Sequence, residues 1–81
     1  LNLGYESLRI GGTMPAAMNA ANEVAVDAFL NGGIRFIEIV EVIRSTMHAH
    51  TYRDLTCLED ALEADRWARE KAESLVHALP H

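Results

Sequence analysis

Asn19, Asn22 and Glu23 stand in the run Asn19-Ala20-Ala21-Asn22-Glu23-Val24-Ala25-Val26. Two amides and a carboxylate interrupt a stretch that is otherwise alanine and valine. Asn is a mediocre helix former that prefers to bond nearby backbone, so the composition is unusual for a helix. Spaced i, i+3 and i+4, the three side chains share one polar stripe of a helix. Such a stripe can hydrogen-bond a loop, a ligand or a neighbouring domain. It can equally satisfy backbone groups at the crowded start of its own helix and the turns beside it.

The remaining chemistry-bearing residues read more plainly. His48 and His50 are two apart, so on one helix they point to different faces. The pattern of two histidines four apart with a glutamate between them is absent. They read as solvated helix-end histidines near the negative end of a dipole. His77 and His81 have no partner in the sequence and read as surface residues. Cys57 lies at the start of a helical pattern, where the dipole would favour its thiolate. No histidine is fixed beside it, and it reads as a first-turn packing residue. Glu59-Asp60 and Glu63-Ala64-Asp65 are acidic pairs early in a helix, where its positive end accounts for them without catalysis. Gly11-Gly12 and Gly32-Gly33 follow no strand and lack the spacing of a dinucleotide or phosphate loop.

These residues belong to a chain of 81 with 49% apolar and 23% charged side chains. That is one small domain, too apolar for disorder. A chain this short buries about 60% of its unfolded surface, which argues against an enzyme with a deep cleft of its own. The net charge of −5 and the scattered seven basic residues oppose nucleic-acid binding. A lone cysteine excludes a disulfide framework and fits a reducing compartment. No apolar run reaches the roughly 18 residues that would suggest a membrane span. The chain starts at Leu1, at the edge of a helical pattern, as expected of a segment of a longer protein.

Four helical segments and no strand are expected. The first covers residues 2–10, with Leu1, Tyr5 and Leu8 as its apolar stripe and Glu6 and Arg9 turned away. Gly11-Gly12 stops it. The second covers 15–30, with Pro15 in the first turn and Thr13 or Met14 at the cap. Its second half is apolar on nearly every side, the mark of a central helix. Asn31-Gly32-Gly33 ends it. Ile34-Arg35-Phe36 leads into the third, which runs to residue 48. Phe36, Ile39, Val40, Ile43 and Met47 form its stripe; Glu38, Glu41 and Arg44 form its wet face, with a weak Glu41–Arg44 ion pair. Residues 50–55 read as a loop. Thr56 and Glu59 fit a capping box for the last segment. That segment has apolar residues at Leu58, Ala61, Leu62, Ala68, Ala72, Leu75, Val76 and Leu79, and Pro80 closes it. Asp65 breaks the stripe: either the helix kinks there with Asp65 capping a new one, the favoured reading, or a buried partner satisfies it. The whole is an all-α domain over residues 1–81, a small three- to four-helix bundle.

The Asn19–Val26 run, continued by Ala28-Phe29-Leu30 and Ile34-Arg35-Phe36, resembles the C-terminal domain of 1-deoxy-D-xylulose 5-phosphate reductoisomerase. Upstream, Tyr5-Glu6-Ser7-Leu8-Arg9-Ile10-Gly11-Gly12-Thr13-Met14-Pro15-Ala16 continues the match. Downstream, Leu58-Glu59-Asp60-Ala61-Leu62-Glu63-Ala64-Asp65 and Trp67-Ala68-Arg69-Glu70 do so. The resemblance covers almost the whole chain, weakening from His77 onward. It implies an all-helical domain that braces a catalytic domain within an NADPH-dependent enzyme of isoprenoid biosynthesis. NADPH and a divalent metal, Mg or Mn, are implied for the full-length enzyme and none for this segment. No catalytic, cofactor-binding or metal-binding residue carries over. Asn19, Asn22 and Glu23 carry over as part of the family's motif, with a role in structural support. The resemblance also implies a bacterial cytoplasm or a plastid. The partners expected are the remaining domains of the parent enzyme, and a second copy when the segment is isolated, through exchange of the first helix across Gly11-Gly12. The alternative is a free-standing helical interaction module.

Overall fold

The computed structural model describes residues 2–80. Four helices follow one another: α1, Leu3–Ile10; α2, Met14–Leu30; α3, Phe36–Ala49; and α4, Leu58–Ala78. There is no strand among the described residues, and the all-α bundle stands as expected. Helix α2 is the axis. It packs against α4, α3 and α1; α3 also touches α4 and α1, whereas α1 and α4 do not meet. No helix is long and apolar enough to cross a membrane among the described residues.

The α2–α4 contact is built from alanines. Ala17, Ala20, Ala21 and Ala25 on α2 and Ala64, Ala68 and Ala72 on α4 are all buried. Side chains this small let two helix backbones approach closely and fill the seam without voids. The larger apolar residues Met14, Ile34, Val42, Ile43 and Met47 close the core on the α3 side, with Leu3, Phe29 and Leu75 packed around them.

The local rules held in kind more often than in register. Asn2 caps α1, its side-chain oxygen accepting from Tyr5 N at 2.9 Å. Yet the expected stripe of α1 is turned out: Tyr5 is 73% and Leu8 70% exposed, while Ser7 is buried. Leu1 lies outside the described residues. The small residues explain the reversal. A Cβ on Gly4 would stand 3.7 Å from the Met18 methyl, so α1 lies close on α2. Buried Ser7 satisfies its own hydroxyl on the Gly4 carbonyl at 2.7 Å. Thr13 does hold the N-cap position of α2, but its hydroxyl makes no cap bond and points elsewhere.

In α3 the buried face is rotated from the expected one. Phe36 and Val40 face water, and Val42 and Thr46 replace them inside. Glu38, expected on the wet face, is 3% exposed. Its carboxylate accepts from Arg35 N at 2.7 Å, so it caps its own helix from the inside. Thr46 can be buried because its hydroxyl donates to Val42 O at 2.8 Å. No ion pair joins Glu41 and Arg44 among the described residues.

Two corrections concern α4. The capping box sits one residue later than Thr56 and Glu59: Cys57 is the N-cap and Asp60 reaches back. The Asp60 carboxylate accepts from Cys57 N at 3.2 Å and from Thr56 N at 2.8 Å. Asp65 neither kinks the chain nor caps a second helix, since α4 is continuous over 21 residues. Its carboxylate lies at the surface and accepts from Arg69 Nε at 3.4 Å, one turn on. With that partner an aspartate is tolerated mid-helix. Leu58 and Leu62, expected inside, are exposed, and Ala64 takes the inner position.

Candidate functional site

Above the alanine seam runs a polar ridge. Asn19 Nδ2 donates to Glu23 Oε2 at 3.4 Å, and Glu23 Oε1 accepts from Arg69 Nη2 at 2.8 Å. Arg69 in turn reaches Asp65, so one guanidinium ties α2 to two carboxylates. The bond from Arg69 and its charge hold the Glu23 carboxyl below the usual carboxylate range. The hydrogen bonds that Arg69 donates to Glu23 and then to Asp65 push the guanidinium up. A carboxylate held ionised this way is a poor proton carrier near neutrality, and the ridge is an orienting device rather than an acid–base pair. Asn19 and Glu23 are brought together as expected. Asn22 is not part of the chain of bonds: half-buried on the same helix, it makes no side-chain hydrogen bond among the described residues. Neither amide bonds backbone, so the crowded-helix-start reading does not describe them.

The second polar cluster joins the two ends of the loop reading. Thr13 Oγ1 and His50 Nε2 are 2.8 Å apart. The His50 ring lies 5.2 Å from the Trp67 ring, tilted at 46°. Thr13 N donates to Arg53 O at 2.9 Å, and Arg53 N donates to Thr13 Oγ1 at 3.3 Å. The Arg53 guanidinium reaches forward to Glu63 at 2.9 Å and Asp60 at 3.4 Å. Residues 50–53 thus form a latch across the start of α2. Burial, and then the Arg53 charge, push the His50 imidazole down, so it is neutral in the fold at neutral pH. His50 is therefore not a solvated helix-end residue.

A hydroxyl on an imidazole is the geometry of a nucleophile and its base. Here Thr13 is buried and already accepts from backbone. No carboxylate bonds the other ring nitrogen of His50 among the described residues. The cluster locks a loop, with the Thr13 hydroxyl held between the imidazole and the Arg53 amide. No spacing announces it, because its members are 37 and 40 residues apart.

The other singled-out residues stay apart. His48 lies exposed in the last turn of α3, and His77 in the last turn of α4; His81 falls outside the described residues. Cys57 is exposed and free. Of the acidic pairs, Asp60 caps α4, Glu63 holds Arg53 and Asp65 holds Arg69. Among the described residues no group of three or more His, Cys, Asp or Glu side chains could hold a metal ion.

The order of these helices and the motif on α2 can be set against known proteins. Residues 1–71 match the family model described as the DXP reductoisomerase C-terminal domain. The chain belongs to that family. It is 55% identical over 76 residues to 1-deoxy-D-xylulose 5-phosphate reductoisomerase of Ruminiclostridium cellulolyticum, and 54% to that of Chlorobium phaeobacteroides. Each match covers 94% of this chain and 20% of the relative. The solved structure of 1-deoxy-D-xylulose 5-phosphate reductoisomerase from Zymomonas mobilis in complex with NADPH superposes with a TM-score of 0.88 at 42% identity. That superposition covers 95% of this chain and 20% of that one. The chain therefore spans about a fifth of the length of the reductoisomerases it matches.

Proposed function

We propose that this domain is the C-terminal brace of a 1-deoxy-D-xylulose 5-phosphate reductoisomerase. The complete protein would rearrange the sugar-phosphate skeleton and reduce the product aldehyde with NADPH to 2-C-methyl-D-erythritol 4-phosphate. The single observation behind this reading is the 0.88 superposition on one fifth of a reductoisomerase solved with NADPH. The same fraction favours a domain of a long enzyme over a free-standing module.

Within that protein the domain supplies rigidity. Its carboxylates and histidines are engaged in caps, the ridge and the latch, or lie scattered on the surface. NADPH and the divalent metal are assigned to the rest of the polypeptide. The described residues contain neither a strand leading into a glycine-rich turn nor a clustered donor set for a metal. Asn19 and Glu23 lie along the α2–α4 seam and orient Arg69 over it, while the alanines beneath hold the pairing; Asn22 is left for a partner. A bacterial cytoplasm or a plastid remains the proposed compartment. Separated from its polypeptide, the domain exposes Tyr5, Leu8, Leu30 and Phe36, and self-association follows from covering them.

Two measurements test the reading. The full-length enzyme should oxidise NADPH with the sugar phosphate, while the purified 81-residue chain should not. Turnover by the isolated chain would refute the brace. Deleting the domain from the full-length enzyme should lower the thermal midpoint of what remains; an unchanged midpoint would refute it equally. Sedimentation of the isolated chain over a wide concentration range checks self-association.

A further inference from the structure

Helix α2 is apolar on nearly all sides, yet one side of it is bare. Helix α3 touches both α4 and α1, so these three close around most of α2. Helices α1 and α4 do not meet, and the gap between them leaves a stripe of α2 uncovered. At about 100° per residue, Asn19, Asn22, Val26 and Leu30 fall on that stripe. Asn22 and Val26 are half-buried, and Leu30 is 74% exposed. The Glu23–Arg69 bond walls the stripe on the α4 side. On the α1 side stand Tyr5 and Leu8. Leu3, Glu6 and Ile10 face the cleft toward α3, which puts Tyr5 and Leu8 on the opposite flank, beside the bare stripe.

We propose that this bare face of α2 is the surface on which the preceding part of the same polypeptide sits. The inference rests on the reading of the chain as a reductoisomerase domain and names the surface that reading requires. Three observations select the occupant. The relatives are about five times as long as their match to this chain, and the family is that of a C-terminal domain, so a large neighbour is tethered in cis. Helix α1 has eight residues, too few to be stable alone, and it turns its large apolar side chains to the gap. Asn22 offers an amide with no partner inside the domain, beside apolar Val26. The occupant therefore presents apolar side chains to Tyr5, Leu8, Val26 and Leu30, and one polar group to the Asn22 amide. A second copy of the domain is the competing occupant.

The test uses the full-length enzyme carrying this domain. Tyr5→Glu with Leu30→Glu places two charges on the face at positions too exposed to matter to the domain's own core. Ile37→Glu, at a residue 63% exposed on the outer side of α3, is the control. Proteolysis between this domain and the preceding one should be faster by about tenfold or more in the double variant and unchanged in the control. Amides of α4 should keep their hydrogen-exchange protection, showing that the domain still folds. If that protection falls, the milder Asn22→Ala decides, with a several-fold faster cleavage expected and α4 intact. Equal effects from the control, or none from the α2-face variants, overturn the inference. A double variant that changes only the oligomeric state in sedimentation also overturns it, in favour of a second copy. If deleting the whole domain weakens the rest of the enzyme while these variants do nothing, the brace stands and only this surface is wrong.

Discussion

The α2–α4 seam and the latch over the start of α2 hold the molecule by opposite means. The seam is a long run of buried alanines with a ridge of ion pairs laid over it at the surface. The latch is a few hydrogen bonds, one ring contact and one glycine. In the seam the energy is spread over many small contacts, and the charged bonds above it are screened by water. In the latch it is concentrated in single groups that nothing else replaces. Removing a visible interaction should therefore matter little at the ridge and much at the latch. The vulnerable atoms of the seam are the ones that cannot get larger.

Overfilling the seam should have the largest effect. Ala68 has no exposed surface and packs with Ala17 and Ala20. Ala68→Leu should lower stability by about 3 kcal/mol, read as a shift in the denaturant midpoint, because two close helix backbones must part. A shift of a few tenths would mean that the seam has room and that close packing does not define it.

The latch should break next. Gly12 has φ of 56°, and a Cβ there would lie 2.5 Å from both the Arg53 carbonyl oxygen and the Tyr52 ring. Gly12→Ala should cost about 2 kcal/mol from strain and the displaced loop. Hydrogen exchange at residues 50–53 should rise before that of α4. If α4 loosened at the same time, latch and seam would be one unit.

Acid should loosen the latch without touching the seam. Folding lowers the His50 pKa from its ordinary 6.5, so the unfolded chain takes up the proton first. The contribution is complete above 6.5 and is lost as pH falls through the lowered folded value. Stability measured downward from pH 6.5 should decline in the native chain, and His50→Gln should flatten that part of the curve. Asp60 acts in a separate, more acidic window. Bonds from the Thr56 hydroxyl and amide, then from Cys57, draw its carboxyl down to about 2, from 3.8. Its contribution is present above 3.8 and is lost toward pH 2. A decline in the native chain that survives in His50→Gln would place the sensitive group elsewhere.

The smallest effect is expected at the most conspicuous bond. Glu23→Gln breaks the ion pair with Arg69, but both groups are largely in water and Asp65 still holds Arg69. The midpoint should stay within measurement error at moderate salt. A large loss would mean that the ridge carries the α2–α4 pairing and the alanines merely accompany it.

Much of the architecture is written locally. Glycine pairs at 11–12 and 32–33, Pro15, and the periodicities between them mark four helices, because stops, first turns and stripes depend on a few neighbouring residues. The resemblance carried by the Asn19–Val26 run reaches the family on the same local footing. Which face each helix buries is a different matter. Tyr5 and Leu8 read as core and face water, while Glu38 reads as surface and is buried, as is the polar Ser7 that no stripe included. Each of those two satisfies its polar atoms on its own backbone, which cancels the penalty that hydrophobic patterning assumes. Asp65 reads as a break, and Arg69 one turn later lets the helix continue. Thr13, His50, Arg53 and Trp67 have no legible relation in the chain, since only the packing of α4 beside α2 brings them together. The sequence by itself determined the helical segments, the glycine stops between the first three and the kinship, because those rest on short-range chemistry. Tertiary structure alone decided the buried faces, the latch and the bare stripe of α2, because each depends on which helices can approach closely and which two never touch.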